Sequence, residues 1–230
     1  MKNAIAALKR KANQYQELKK QRGVTLLEII IVLGIIGIIA AGVVILANRA
    51  FTAQDISELA DNTNSVRVGT TEAYKDSSAY PAVVDSSALT KSDIATADNA
   101  SIISTLVKMG KISSDEAFNG MSNDAFEIGG VNYAAEDTKM KGFYLVINGL
   151  GTEDCRNIAS QLGAQWDYVA SGTAAAGAML GTPPTELSGT ATTTILKTLT
   201  VDTLSPTTIV ADGFCDASEG SDNALILGSK

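Results

Sequence analysis

Few residues in this 230-residue chain have the types and spacing that chemistry requires. The chain contains no histidine, which excludes histidine-dependent triads and histidine-ligated metal sites. Glu28 has the most unusual setting, because it is the single charge in an apolar segment, residues 24–47. A carboxylate in a membrane span costs about 3 kcal/mol or more, so such a residue usually has a function. Ion pairing is the chemistry open to it.

The two cysteines, Cys155 and Cys215, are the second candidate site. Two thiols without a C-x-x-C motif or a histidine make a poor zinc site. If this part of the chain is exported, its compartment is oxidising and favours a Cys155–Cys215 disulfide. Closing a loop of about 60 residues would stabilise the fold by roughly 4 kcal/mol. Two unpaired buried thiols are the alternative.

Other residue patterns give no case for catalysis, and we expect no cofactor and no enzyme activity. The run from Gly149 to Gly151 lacks the rest of a dinucleotide fingerprint, and residues 172–177 lack the lysine of a P-loop. Glu153 and Asp154 suit the first turn of a helix. Four acids near the C-terminus suit either a calcium site or, as the favoured interpretation, a solvated acidic edge: Asp212, Asp216, Glu219 and Asp222.

The element that carries Glu28 is long enough to cross a membrane. Residues 29–47 are uncharged, and as a helix they extend about 28 Å, close to the thickness of the hydrocarbon layer. A buried core helix is one alternative, but this segment is apolar on all faces. A cleaved secretory signal is another, with small residues after the apolar run as its cleavage site. The run is long for such a signal.

Charge is divided unevenly along the chain. Residues 1–23 carry a net charge of +6 and the remaining residues −13, within a total of −7. A basic segment before the apolar run predicts a cytoplasmic N-terminus and an exported body. The acidic body argues against nucleic-acid binding.

The junction itself resembles a known signal. Gly23-Val24-Thr25-Leu26-Leu27-Glu28, followed by an unbroken apolar helix, is similar to the class III signal of type IV prepilins. The strong resemblance covers residues 23–47. The 23-residue leader and the valine after it are similar to the type IVb class, and residues 110–117 add a likeness to the toxin-coregulated pilin group.

The resemblance implies cleavage between Gly23 and Val24 by prepilin peptidase and N-methylation of Val24. It also implies that Glu28 acts in assembly, by pairing with the Val24 amine of a neighbouring subunit. An intrachain pair is the alternative, because positions 24 and 28 are neighbours on one helix face. Implied partners are further copies of the chain in a helical homopolymer, inner-membrane assembly machinery, minor pilins, and host surfaces or other bacteria.

The helical pattern extends beyond the apolar segment. One helix is predicted from Val24 to about Lys75, with a stripe of six residues to bury: Ile56, Leu59, Thr63, Val66, Thr70 and Ala73. Three glycines in the apolar half permit either close helix contact or local melting: Gly34, Gly37 and Gly42. The predicted divisions are a leader (1–23), a transmembrane and assembly helix (24–50), an amphipathic helix (51–77) and a globular domain (78–230) with a disulfide-bounded region (155–215).

The globular domain is predicted to be α+β. Short helices are expected over 101–109, 114–119 and 152–162, the last capped by Thr152. Strands are expected over 143–147, 166–170, 207–211 and 224–227, while 192–199 suits a helix or a strand. The predicted fold is a long N-terminal helix, its apolar half protruding, packed on an antiparallel sheet.

Together these patterns predict a structural subunit of a type IVb pilus, used for adhesion, bacterial aggregation and colonisation. The precursor would lie in the inner membrane with its globular domain periplasmic, and the assembled pilus would be extracellular. The alternatives are a minor pilin, a type II secretion pseudopilin, a single-pass receptor and a secreted enzyme.

Overall fold

The structure, a computed structural model, describes residues 25–216 and 220–230. The chain divides into two compact units, the first ending at Thr52 and the second, which we call the head, running from Ala53 to Lys230. One helix, α1 (Leu26–Tyr74), contributes to both units. The long helix predicted from the sequence is therefore present across the described residues.

The described part of the first unit is the N-terminal half of α1. Its large apolar side chains are all exposed, from 47% at Val32 to 77% at Leu26 and Ile38. Its composition and length are sufficient to cross a membrane. Lipid or other chains could bury this exposed surface, and its burial would then gain hydrophobic free energy.

The head contains the remaining described elements. In chain order they are α2 (Ile102–Lys108), β1 (Glu127–Val131), β2 (Gly142–Leu150), α3 (Thr152–Leu162), a 3₁₀ turn (Gly163–Gln165), β3 (Tyr168–Thr173), β4 (Ile195–Lys197), α4 (Pro206–Ile209) and β5 (Asn223–Ser229).

The five strands form one antiparallel sheet in the order β1-β2-β5-β3-β4. The C-terminal strand β5 is therefore central, with Leu225–Leu227 paired to both β2 and β3. The α+β class and the antiparallel sheet predicted from the sequence are confirmed, including the strands near 143–147 and 224–227.

The sheet buries a different apolar cluster on each face. On the first face, the side chains of Phe143, Leu145 and Leu227 pack in the main core with α1 and α3. On the second face, Tyr144, Val146 and Ile226 pack under residues from the 174–187 region. This alternation along β2 and β5 follows from the two-residue period of a strand.

The predicted stripe docks the second half of α1 into the head. Ile56, Leu59, Thr63, Val66 and Thr70 are all buried, and Ala73 packs at the edge of the core. Gly69 also faces inward, and a side chain there would approach Ile112 to 3.3 Å. The second half of α1 thus buries one face in the core of the head.

Two sequence predictions of secondary structure are wrong. Residues 114–117 form a turn, because the chain folds back so that Phe118 bridges to Ala125. Residues 206–209 are helical instead of extended, since the Ser205 hydroxyl accepts from Thr207 N–H and Pro206 occupies the first turn.

Other boundaries move by a few residues. The prediction that Thr152 caps α3 is wrong: Thr152 is the first residue of the helix, and the N-cap is Gly151, which offers no side-chain hydrogen bond. β2 continues past Asn148-Gly149 to Leu150 through a register shift, and β3 begins at Tyr168, two residues after Trp166. The ambiguous 192–199 segment contains the short strand β4.

Candidate assembly site and head framework

The start of α1 is fixed by Thr25. Its hydroxyl accepts a hydrogen bond from the Glu28 N–H at 3.3 Å, and its carbonyl accepts from Glu28 and Ile29 N–H groups at 3.0 and 3.2 Å. The contacts to Glu28 satisfy an amide of the first turn that lacks a partner four residues before it, and the Ile29 contact is the first regular bond of the helix. This cap is a feature that sequence reasoning missed, although the T-x-x-E spacing of residues 25–28 is the signature of a capping box.

Glu28 lies in the first turn of α1, where a carboxylate interacts favourably with the helix dipole. In the described residues its side chain forms no ion pair, since the salt bridges there are Lys91–Asp115 and Lys111–Glu72. Gly23 and Val24 lie outside the described residues. The cleavage site and the Val24 partner of Glu28 therefore stay predictions.

The three glycines of the apolar half lie within unbroken helix. A side chain added at Gly34, Gly37 or Gly42 would meet no atom of the described chain within 4 Å. Among the described residues of one subunit, then, no close contact requires glycine at these positions. The close-contact interpretation applies only to contacts with other molecules.

A polar clamp on Trp166 holds α1 in the head. The Arg67 guanidinium lies 5.4 Å from the centre of the buried Trp166 ring and donates to the carbonyl oxygen of Gln165. Asn64 donates to the side-chain oxygen of Gln165 at 2.9 Å. Sequence reasoning missed this clamp, because the two partners are about a hundred residues apart and neither belongs to a local motif.

We expect Arg67→Ala to destabilise the head by about 1–2 kcal/mol, since it removes a cation–π contact and one charge-assisted hydrogen bond. Denaturant unfolding followed by Trp166 fluorescence measures this loss. Val68→Ala, at the neighbouring exposed position, is the matched control and should change stability by less than about 0.5 kcal/mol. Equal effects of the two substitutions would contradict the clamp.

A disulfide joins Cys155 in α3 to Cys215, and both residues are fully buried. The Arg156 guanidinium donates to the carbonyls of Phe214 and Ala211 at 3.3 and 3.4 Å. α3 therefore holds the segment before β5 by one covalent bond and by hydrogen bonds. The predicted C-terminal disulfide-bounded region is present in the fold.

Within residues 25–216 and 220–230, no three His, Cys, Asp or Glu residues are placed to hold a metal ion. The acidic group considered as a calcium site includes Glu219, which lies outside the described residues. A cleft of about 620 Å³ lies on the second face of the sheet, beside Tyr168 and Glu186. Burial, with the charge of Glu186 nearby, raises the pKa of Tyr168 to about 12.

Comparison with known proteins agrees with this architecture. Residues 18–44 match the family described as the prokaryotic N-terminal methylation motif. A toxin coregulated pilin of Vibrio cholerae is 37% identical over 153 residues, which are 65% of this chain and 62% of the relative. The chain thus spans less than two thirds of that relative. A second, from Vibrio cholerae serotype O1, is 35% identical over 174 residues, which are 75% of this chain and 72% of the relative.

A solved structure shares the fold. The crystal structure of TcpA, a type IV pilin from Vibrio cholerae El Tor biotype, superposes with a TM-score of 0.58 at 22% identity, covering 77% of this chain and 99% of that one. The long helix, the antiparallel sheet and the methylation motif define the class of type IV pilins. The chain belongs to the toxin-coregulated pilin family within the type IVb pilins, which are structural subunits of pili.

Proposed function

We propose that this chain is the major repeating subunit of a type IVb pilus and polymerises through the N-terminal half of α1. The observation that carries the proposal is the exposed apolar surface of residues 26–47, in which Glu28 is the single charge. A surface that is apolar on all sides suits a bilayer before assembly and the centre of a helical filament afterwards. The head would then form the outside of the filament.

Processing and orientation follow from the same segment. The basic residues 1–23 would remain in the cytoplasm, and the head would be exported across the inner membrane. Prepilin peptidase would cleave between Gly23 and Val24, and methylation of Val24 would leave a basic amine next to Glu28. The matched methylation motif, which spans both residues, supports this step.

We expect Gly23→Phe to leave an uncut precursor, because a large side chain would replace the hydrogen of glycine beside the cleaved bond. The measurement is intact mass and N-terminal sequencing of the subunit from membranes. Wild-type protein should begin at N-methylated Val24. Gly23→Ala, a smaller change, should impair cleavage less.

The same sequencing separates the rival functions. A wild-type protein that begins at Met1 would be an uncut membrane anchor, and one that begins beyond Ala47 would be a secreted protein. Either result would overturn the proposal. A subunit of normal mature size from Gly23→Phe would show that cleavage occurs elsewhere.

The finer roles concern the assembled pilus. Extracellular filaments of this subunit would act in adhesion, bacterial aggregation and colonisation, with host surfaces or other bacteria as partners. Assembly would use inner-membrane machinery and minor pilins. The role would be structural and not enzymatic, in keeping with relatives that are pilins. Loss of surface filaments, and with them of aggregation, in a strain lacking this chain tests these roles.

A further inference from the structure

Three polar residues fix one loop to the second face of the sheet. They are Asp124, which precedes β1, Glu127 at the start of β1, and Asn148 near the end of β2. The loop is the segment 174–180, which follows β3. We call it the 174–180 segment.

Several hydrogen bonds join these three residues to the 174–180 segment. Glu127 Oε2 accepts from Leu180 N–H at 2.7 Å, and Asp124 Oδ2 accepts from Gly177 N–H at 2.7 Å. The Asn148 side-chain amide lies 3.1 Å from the Ala178 carbonyl oxygen and 2.8 Å from Asp124 Oδ2. One end of the segment is also held by Gly149 N–H, which donates to the Ala174 carbonyl at 3.0 Å.

The 174–180 segment covers apolar surface. Leu180 is buried and packs over Gly172 and Ile226, so closely that a side chain on Gly172 would come within 2.8 Å of it. Leu180 also lines the 620 Å³ cleft. Release of the segment would therefore expose the second apolar face and widen the cleft.

Glu127 is an unusual residue for this task, because it is only 6% exposed. Its Oε1 atom and the Tyr144 hydroxyl are both fully buried, and neither makes a hydrogen bond of normal geometry. In the described chain no lysine or arginine forms an ion pair with it. Among the described residues, a charged Glu127 thus has the Leu180 N–H bond on Oε2 but no cation and no partner for Oε1, which is less compensation than a buried carboxylate normally needs.

The groups that face Glu127 have opposing effects on its pKa. Burial raises the pKa of Glu127, and the negative charge of Asp85 raises it further. The Leu180 N–H and the Tyr144 hydroxyl lower this pKa, but burial is the larger effect. The 174–180 segment itself carries no ionisable side chain.

We propose that Glu127, Asp124 and Asn148 form a proton-responsive latch, which holds the 174–180 segment most tightly when Glu127 is protonated and loosens it when Glu127 is ionised. In the open state Glu127 reaches water and regains its ordinary pKa, near 4.5. Because the closed-state pKa is higher, closure is fully favoured below pH 4.5. That advantage is lost as pH rises through the closed-state pKa.

Hydrogen exchange tests the latch in the full-length subunit in detergent. Amide protection of residues 174–180, corrected for the intrinsic effect of pH, should increase as the pH is lowered from 7.5 toward the ordinary glutamate pKa. Each unit between the closed-state and open-state pKa values corresponds to about a tenfold change in the opening equilibrium. Protection of the central strand β5 serves as the internal reference.

Two variants and a control complete the test. Glu127→Gln keeps the size of the side chain without its charge, so protection of 174–180 should no longer depend on pH. Tyr144→Phe removes a hydroxyl that favours ionised Glu127, so the change in protection should move to higher pH. Glu186→Gln, in the neighbouring cleft wall, should behave as wild type. The same pH dependence in Glu127→Gln and wild type would overturn the latch, as would no dependence in wild type.

Discussion

Glu28→Ala should give a subunit that is cleaved and inserted normally but forms few or no filaments. Glu28 is the single charge among residues 24–47, and the large apolar side chains around it are exposed, so lipid or other subunits can bury them. Burying an unpaired ion there costs several kcal/mol, about 3 on insertion scales. An incoming subunit avoids that cost if its Glu28 meets the Val24 amine of a neighbour.

The pair would also fix the position of one subunit along the next, because a shift of one residue would separate the two charges. Alanine removes the carboxylate that would fix this position. Because alanine is a good helix former, membrane insertion should be unaffected. Filament yield and length by electron microscopy of sheared cells, with subunit processing measured by mass, test this expectation.

Two further variants separate pairing from helix capping. Thr25→Val removes the hydroxyl that accepts from Glu28 N–H but keeps the carboxylate, so assembly should largely persist. Glu58→Ala removes an exposed acid from the second half of α1 and should assemble normally. If Glu28→Ala assembles at normal level and length, Glu28 is only a helix-end acid and the interchain mechanism is wrong.

Local patterns were sufficient to predict α1 and its buried stripe. The spacing from Ile56 to Thr70 reports one helical face directly, and the apolar half is visible as an uninterrupted run. Local patterns also predicted β2, a β-branched and aromatic run, and α3, a helix bounded by glycines. Each of these elements has its own start and stop signals in the sequence.

The pairing of strands that are distant in the sequence could not be predicted from local patterns. Nothing local indicates that β5 lies between β2 and β3, because its seven residues meet partners far away in the chain. The same holds for the Arg67 clamp and for Glu127, which local pattern alone would place as an ordinary charged residue. The strand predicted over Thr207–Ala211 is wrong. Its β-branched residues favour a strand, but Ser205 and Pro206 form a helix start, and the segment folds as α4.

Cys155→Ser should destabilise the head by about 2–4 kcal/mol and reduce surface filaments. The bond closes a loop with a sequence separation of 60, and removing it restores much of the unfolded chain's freedom. The loop contains β3 and β4 and ends just before β5, so its loosening would affect the pairing of the central strand. Denaturant unfolding of the purified subunit measures the loss.

The single substitution also leaves a lone thiol at a buried position, so Cys155→Ser/Cys215→Ser is the matched comparison. Reduced wild type and the double variant should unfold at similar denaturant concentrations, both below oxidised wild type. Arg156 would still hold Phe214 and Ala211, so the segment should remain near α3 in the folded variants. Oxidised wild type that unfolds no later than the double variant would show that the disulfide does not stabilise the head. In that case the loss of filaments in Cys155→Ser would have to arise from the surface that the 155–215 region presents, and not from its stability.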